Sequence, residues 1–136
     1  KKVLIVMSHT GGGHLASAKA ITAGLEELNT AEELEIKMVD ILEDYTLWFP
    51  NRLYNWYTVY PVVWGTIYTT TKKTNGGSWF TDPAQFLSPT VVPGFRRCIE
   101  AEDPDLVISV HPIIQCVPIS SFVKNGAPYL TIVTDL

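Results

Sequence analysis

The chain has 136 residues, 46% of them apolar and 18% charged, and a formal net charge of −4. That length is about one domain, and the apolar content belongs to a folded chain rather than a disordered one. The acidic balance excludes binding to nucleic acid, which rests on Lys and Arg neutralising phosphates, but it does not exclude a membrane surface, because an apolar patch can bind lipid without a polybasic one.

No stretch approaches the roughly 20 apolar residues that a spanning helix needs. The longest candidate, Leu106 to Ile119, is interrupted by His111, Pro112, Gln115 and Pro118. Cys98 and Cys116 have 17 residues between them. That spacing is neither a metal pair nor a CxxC motif, so both are expected to be buried reduced thiols in a reducing compartment. Lys1 and Lys2 lead straight into an apolar run, which is not the pattern of a signal peptide. The absence of an initiator Met suggests a processed or excised chain.

Lys2 to Met7 is a short run of branched apolar residues, the pattern of a strand buried on both faces of a parallel sheet. A turn cluster, Ser8 to Gly13, comes next. From His14 to about Leu28 the apolar positions Ala18, Ile21, Leu25 and Leu28 recur at helical spacing. Leu34 to Asp40 alternates as a second strand. Later in the chain, Pro93 to Ala101 reads as a helix that stops before Asp103-Pro104, and Asp105 to Val110 as a strand. Pro112 suits the start of a helix, Pro118 must kink or restart it, and Gly126 ends it. Tyr129 to Thr134 reads as a last strand. Strands alternating with helices predict a three-layer α/β domain with a parallel sheet and right-handed crossovers.

Asp44 to Phe86 breaks this alternation. Within it Tyr45, Trp48, Phe49, Tyr54, Trp56, Tyr57, Tyr60, Trp64 and Tyr68 crowd into 24 residues. Such a segment is either an amphipathic helix packed on the core or an interfacial element, since Trp and Tyr rings prefer the boundary between lipid and water.

The loop Thr10-Gly11-Gly12-Gly13-His14 lies between a strand and a helix. Glycines there let the backbone approach a ligand or adopt positive φ, and the helix N-terminus offers unpaired N–H groups and the positive end of its dipole to an anion. Gly11, Gly13 and Ala16 also satisfy the dinucleotide pattern G-x-G-x-x-A, but the acid after the second strand, Asp40, lies 27 residues beyond Gly13 where about 20 is usual, and there is no Walker lysine. A merely tight turn fits the same residues. A dinucleotide loop has no need of His14, whereas a neutral imidazole at such a cradle is suited to take a proton from a hydroxyl; a packing role for His14 stays open. His111 and Asp135 each come after an apolar strand, at the edge where open α/β sheets bind ligands. Either is equally readable as a residue that starts or caps a helix, and so is Asp40.

The run Met7 to Ala18, with Val39-Asp40, Leu53-Tyr54, Trp64-Gly65, Pro104-Asp105, Val110-His111-Pro112 and Val133 to Leu136, resembles the monogalactosyldiacylglycerol synthases of plastids and the bacterial diacylglycerol glucosyltransferases. The likeness covers nearly the whole chain. It implies a Rossmann-like parallel sheet with flanking helices, the N-terminal half of a GT-B glycosyltransferase, with residues 1–136 as a truncated acceptor-side domain and the nucleotide-sugar domain beyond it. The implied enzyme works without a metal or other cofactor in this part of the chain. It transfers a hexose, galactose rather than glucose, from a UDP-sugar to the hydroxyl of diacylglycerol with inversion, and the isolated chain is expected to be inactive. On this likeness His14 is the matched base, with Asp135 orienting it or replacing it. Gly11, Gly12, Gly13, His111 and Pro112 bind substrate, and Tyr45 to Tyr68 contact acceptor and membrane, including anionic lipids. The expected location is peripheral, on the plastid envelope or a bacterial cytoplasmic membrane. One departure is His9, where the family often carries Asp or Asn; it reads as a surface loop residue.

Three other readings fit parts of the same sequence: a dinucleotide-type nucleotide-binding module, a non-catalytic lipid-binding domain, and a relative of the N-acetylglucosaminyl transfer enzyme of peptidoglycan synthesis, which shares a glycine-rich loop with histidine.

Overall fold

A computed structural model describes residues 1–9, 12–31, 33–46, 65, 69, 83–111 and 126–134, with 83–90 as backbone. Four strands, β1 (Lys2–Met7), β2 (Glu35–Asp40), β3 (Leu106–Ser109) and β4 (Tyr129–Thr131), pair in parallel in the order β2-β1-β3-β4. Two helices accompany them, α1 (Gly12–Leu28) and α2 (Pro83–Glu102), and a five-residue π-helical turn (Ile41–Tyr45) comes after β2. The α/β expectation therefore holds.

The alternation of side chains along β1 explains the layering. Val3, Ile5 and Met7 point into one core with Ala18, Ile108 and Val110, covered by Leu15, Ile21 and Leu25 of α1. Leu4 and Val6 point into the other with Val39, Ile41, Leu42 and Val107, covered by Val91, Phe95, Cys98 and Ile99 of α2. A strand buried on both faces has no room for polar side chains, which is why Lys2 to Met7 reads as an unbroken apolar run. The chain moves one way across the sheet from β1 to β2 and the other way from β2 to β3. Because α1 and α2 cover opposite faces, the two crossovers share one hand.

Several boundaries differ from those the sequence pattern predicts. Helix α1 starts at Gly12, two residues before His14. Helix α2 starts ten residues before Pro93, so Pro89 and Pro93 lie inside it. An interior proline costs about 3 kcal/mol in a helix, but Val91, Phe95, Cys98 and Ile99 recur on one face and are all at most 2% exposed. Burial of that stripe outweighs the local penalty. Pro83 occupies the first helical position, where the missing N–H is harmless. The Pro93-Gly94 pair resembles a turn in sequence for a different reason. A Cβ on Gly94 would lie 2.8 Å from Tyr45 O and 2.9 Å from Thr46 Oγ1, so glycine is what lets α2 lie against the π turn. The helix ends at Asp103, which adopts φ 43° with its N–H on Ile99 O at 2.9 Å, and Pro104 prevents continuation.

Strands β3 and β4 are shorter than predicted, though Val110 N still donates to Val6 O and Ile132 N to Ser109 O. Gly126 has φ +69°, the left-handed conformation expected of a helix stop. The helix predicted from Pro112, with Pro118 and Cys116, lies outside the described residues. Cys98 is a free, buried thiol, and burial pushes it up to about 12. Among the described residues no helix is long and apolar enough to cross a membrane.

The edge of the α2 core is closed by one buried carboxylate. Glu102, 7% exposed, accepts from Lys2 Nζ at 2.8 Å, Lys37 Nζ at 2.7 Å and the Tyr45 hydroxyl at 2.7 Å. It thus joins β1, β2, the π turn and α2. These three donors hold its carboxyl well below the ordinary 4.5, at about 2. A carboxyl with a depressed folded-state pKa stabilises fully above its unfolded value and loses that contribution as pH falls through the folded one. Urea unfolding of the purified protein should therefore show stability falling from pH 4.5 towards pH 2, and Glu102→Gln should flatten that slope while lowering stability at pH 7 by about 1–3 kcal/mol.

Candidate active site

The strand order reverses between β1 and β3, and in open α/β sheets ligands bind outside the carboxyl ends of the strands at such a switch point. Here β1 feeds the glycine loop and α1, while β3 runs into Val110 and His111. His14 is the third residue of α1 and is 7% exposed. Its Nδ1 lies 3.0 Å from Val110 O and 2.9 Å from Thr134 Oγ1. The Thr134 hydroxyl donates to the same carbonyl at 3.2 Å. His111, 1% exposed, sets its ring against that of His14, with centroids 4.3 Å apart and planes tilted by 55°. Burial first, and the neighbouring His14 second, hold the His111 imidazole well below the ordinary range, at about 3. The sheet thus gathers residues 14, 110, 111 and 134 at one point. A packed imidazole anchored through one nitrogen is an arrangement that can move a proton.

Gly12 and Gly13 are exposed in the first turn of α1. Neither has positive φ, which departs from that part of the sequence reading, and a Cβ on either would meet nothing within 4 Å. Conformation and packing therefore do not require glycine at these two positions. What glycine does there is keep the helix N-terminus, with its outward N–H groups, bare of side chains. Gly11 lies outside the described residues.

Asp40 resolves as a cap. Its Oδ1 accepts from Leu42 N at 3.0 Å and Glu43 N at 3.1 Å, and its Oδ2 from His9 N at 2.7 Å. It starts the π turn and ties His9, just past β1, to it. The His9 side chain is 60% exposed, as expected of a surface loop residue. His9, Asp40 and Glu43 bring one ligand-type atom each within 4.8 Å of one another, but the Asp40 oxygens are already engaged by three backbone N–H groups, so capping accounts for the cluster.

Tyr45, expected from the sequence to contact acceptor and membrane, packs partly buried against the α2 core and donates its hydroxyl to Glu102. Its carbonyl accepts from Arg97 Nη2 at 2.7 Å. Trp48, Phe49, Tyr54, Trp56, Tyr57, Tyr60, Trp64 and Tyr68 lie outside the described residues, as do Pro112 and Asp135. Gly65, within that stretch, and Thr69, just past it, are helical and exposed. Two participants escape the sequence reading, the Val110 carbonyl and Thr134. A signal for them exists: each lies just past the last residues of a strand, and Ser109 of β3 is in register with Thr131 of β4, so both emerge at the same edge as His14.

Residues 14–136 match the family model of monogalactosyldiacylglycerol (MGDG) synthase. This chain belongs to the MGDG synthase family. It is 35% identical over 144 aligned residues to monogalactosyldiacylglycerol synthase 1, chloroplastic, of Arabidopsis thaliana, covering 100% of this chain and 26% of that protein. It is 34% identical to the Spinacia oleracea chloroplastic synthase, covering 100% and 27%, and 34% identical to a probable chloroplastic synthase of Glycine max, covering 100% and 26%. The chain spans about a quarter of the length of these curated relatives. No solved structure gives a significant match. The family match contains all the residues gathered at the switch point, His14, Val110, His111 and Thr134.

For a histidine with a depressed folded-state pKa, stability is present above the unfolded value and lost as pH falls towards the folded one. The His111 ring signals in a ¹⁵N-histidine NMR titration should stay unchanged from pH 7.5 to pH 5, where an exposed imidazole protonates. Replacement by Phe should remove part of the acid destabilisation below pH 6.5 that the wild type shows.

Proposed function

We propose that the full-length protein is an inverting galactosyltransferase that uses UDP-galactose to glycosylate diacylglycerol, and that this chain forms its acceptor side. The observation that carries the proposal is His14, buried at the switch point and anchored through Nδ1, in a chain of the MGDG synthase family. The hydroxyl oxygen of diacylglycerol attacks C1 of the sugar, the C1–O bond to UDP breaks, and the hydroxyl proton passes to the His14 imidazole. Gly11, Gly12 and Gly13 offer N–H groups and the positive end of α1 to the diphosphate or to the lipid headgroup. His111 and Pro112 wall the acceptor subsite. Asp135, adjacent to Thr134, is the alternative base. A second domain, continuing from this one, holds most of the nucleotide sugar.

The relatives named as chloroplastic support an assignment to the plastid envelope, with the protein bound peripherally. Diacylglycerol cannot leave a bilayer cheaply, since each buried CH₂ contributes about 0.8 kcal/mol, so the enzyme must reach its acceptor at the surface. The aromatic residues from Trp48 to Tyr68 supply that contact, with anionic lipids favoured by the neighbouring Arg52, Lys72 and Lys73. In liposome flotation, replacing Trp48, Trp56 and Trp64 together with Ser should reduce the bound fraction while circular dichroism stays unchanged. Unaltered flotation would assign these rings to packing instead.

In the full-length protein, His14→Ala should lower kcat about 10²- to 10⁴-fold, the usual contribution of a general base, with little change in the apparent KM for diacylglycerol, because the interaction is made in the transition state. The measurement is transfer of labelled galactose from UDP-galactose into lipid. A near-normal kcat would move the role of base to Asp135.

A further inference from the structure

A histidine acting as a base must carry its proton on one ring nitrogen and its lone pair on the other, and the residues around it decide which. Around His14 three atoms form a closed triangle: Nδ1 to Val110 O at 3.0 Å, Nδ1 to Thr134 Oγ1 at 2.9 Å, and Thr134 Oγ1 to Val110 O at 3.2 Å. A backbone carbonyl can only accept. A hydroxyl has one hydrogen and two lone pairs.

Two arrangements of hydrogens are available. With the proton on Nδ1, that N–H points between Val110 O and Thr134 Oγ1, and the Thr134 hydroxyl donates to Val110 O. All three edges are then attractive. With the proton on Nε2, the Nδ1 lone pair faces the lone pairs of Val110 O at 3.0 Å, and the single Thr134 hydrogen can satisfy either Nδ1 or the carbonyl but not both. One edge is then repulsive, in a site where His14 is 7% exposed and water compensates little.

We infer that Thr134, together with the Val110 carbonyl, is the positioning device of the site: it fixes His14 in the Nδ1–H tautomer and leaves Nε2 as the proton-accepting atom. The inference deepens the proposed role of His14 as the base and rests on that reading for its catalytic consequence, though not for the tautomer itself. The parts come from three places in the sequence. His14 lies on α1, Val110 lies just past β3 and Thr134 just past β4, and the separations of 96 and 120 residues mean that only a folded sheet edge assembles them. When Nε2 takes up the substrate proton, the ring becomes an imidazolium. Nδ1–H is then a charge-assisted donor, and Thr134 Oγ1 is its second acceptor, so the threonine stabilises the charged form more than the neutral one. That difference acts on the transition state and therefore on kcat.

The test uses the full-length protein labelled with ¹⁵N-histidine, with the His14 signals assigned from their loss in His14→Ala. In the wild type at pH 8, Nδ1 should carry the pyrrole-type shift and Nε2 the pyridine-type shift. Thr134→Val keeps the shape of the side chain but removes its oxygen. It should lower kcat about tenfold, one hydrogen bond's worth of transition-state stabilisation, with KM for diacylglycerol and the thermal midpoint little changed. Thr134→Ser should restore most of the loss. A His14 ring with its proton on Nε2 would overturn the inference. So would a Thr134→Val enzyme with wild-type kcat, or a Thr134→Ser enzyme no better than the valine variant. Failure of the wider reading looks different: His14→Ala would keep its activity while the Nδ1–H shifts stood.

Discussion

Everything in this domain hangs on the placement of β1. It is hydrogen-bonded to β2 on one side and β3 on the other, and both of its faces are covered by helices. Leu4, Ile5 and Val6 are each 0% exposed. A strand so enclosed has no freedom of register, because a slip of one residue would exchange the side chains of its two cores. The segment leaving its carboxyl end is delivered to a fixed point. That point is the start of α1, and the switch in strand order puts it beside the end of β3. The site is therefore a consequence of sheet topology before it is a matter of any one side chain.

The residues gathered there differ in what each contributes to the structure. Gly12 and Gly13 contribute by lacking side chains. Asp40 contributes through the frame, anchoring the backbone of His9 and the start of the π turn. His111 supplies a buried ring packed against that of His14, and burial favours its uncharged form. The geometry sets a buried imidazole, held through one ring nitrogen, next to the bare N-terminus of α1.

How much of this is legible in the sequence depends on how local the deciding interaction is. The unbroken apolar run of β1, the alternation of β2 and the helical spacing of α1 are read within a few residues, and they are where the structure puts them to within two residues. The start of α2 is misplaced by the sequence pattern because Pro93 and Gly94 act locally as breakers, whereas the burial of Val91, Phe95 and Ile99 that overrides them is tertiary. Tyr45 groups with the aromatic segment by proximity in sequence. Its actual partner, Glu102, lies 57 residues away, and nothing nearby marks that glutamate as buried. At the site, His14 and His111 are legible from their positions after strands. Thr134 is not, because a threonine at a strand end has no chemical signature until the carbonyl and imidazole it touches are known.

The Glu102 cluster has a bearing on how the chain is made. Its ties to Lys2, Lys37 and Tyr45 span 100, 65 and 57 residues, and β1 cannot gain β3 as a neighbour until residue 109 exists. During synthesis at about 5–20 residues per second, the first strand leaves the ribosome roughly 5–20 s before the partner that encloses it. For that interval a run of apolar residues with an open edge is without its cover, the kind of segment that pairs with the wrong chain. The charged pair Lys1-Lys2 stands at the head of this run. A charge in that place is of the kind that opposes self-association of an apolar strand, and in the folded chain the same Lys2 ammonium clasps Glu102.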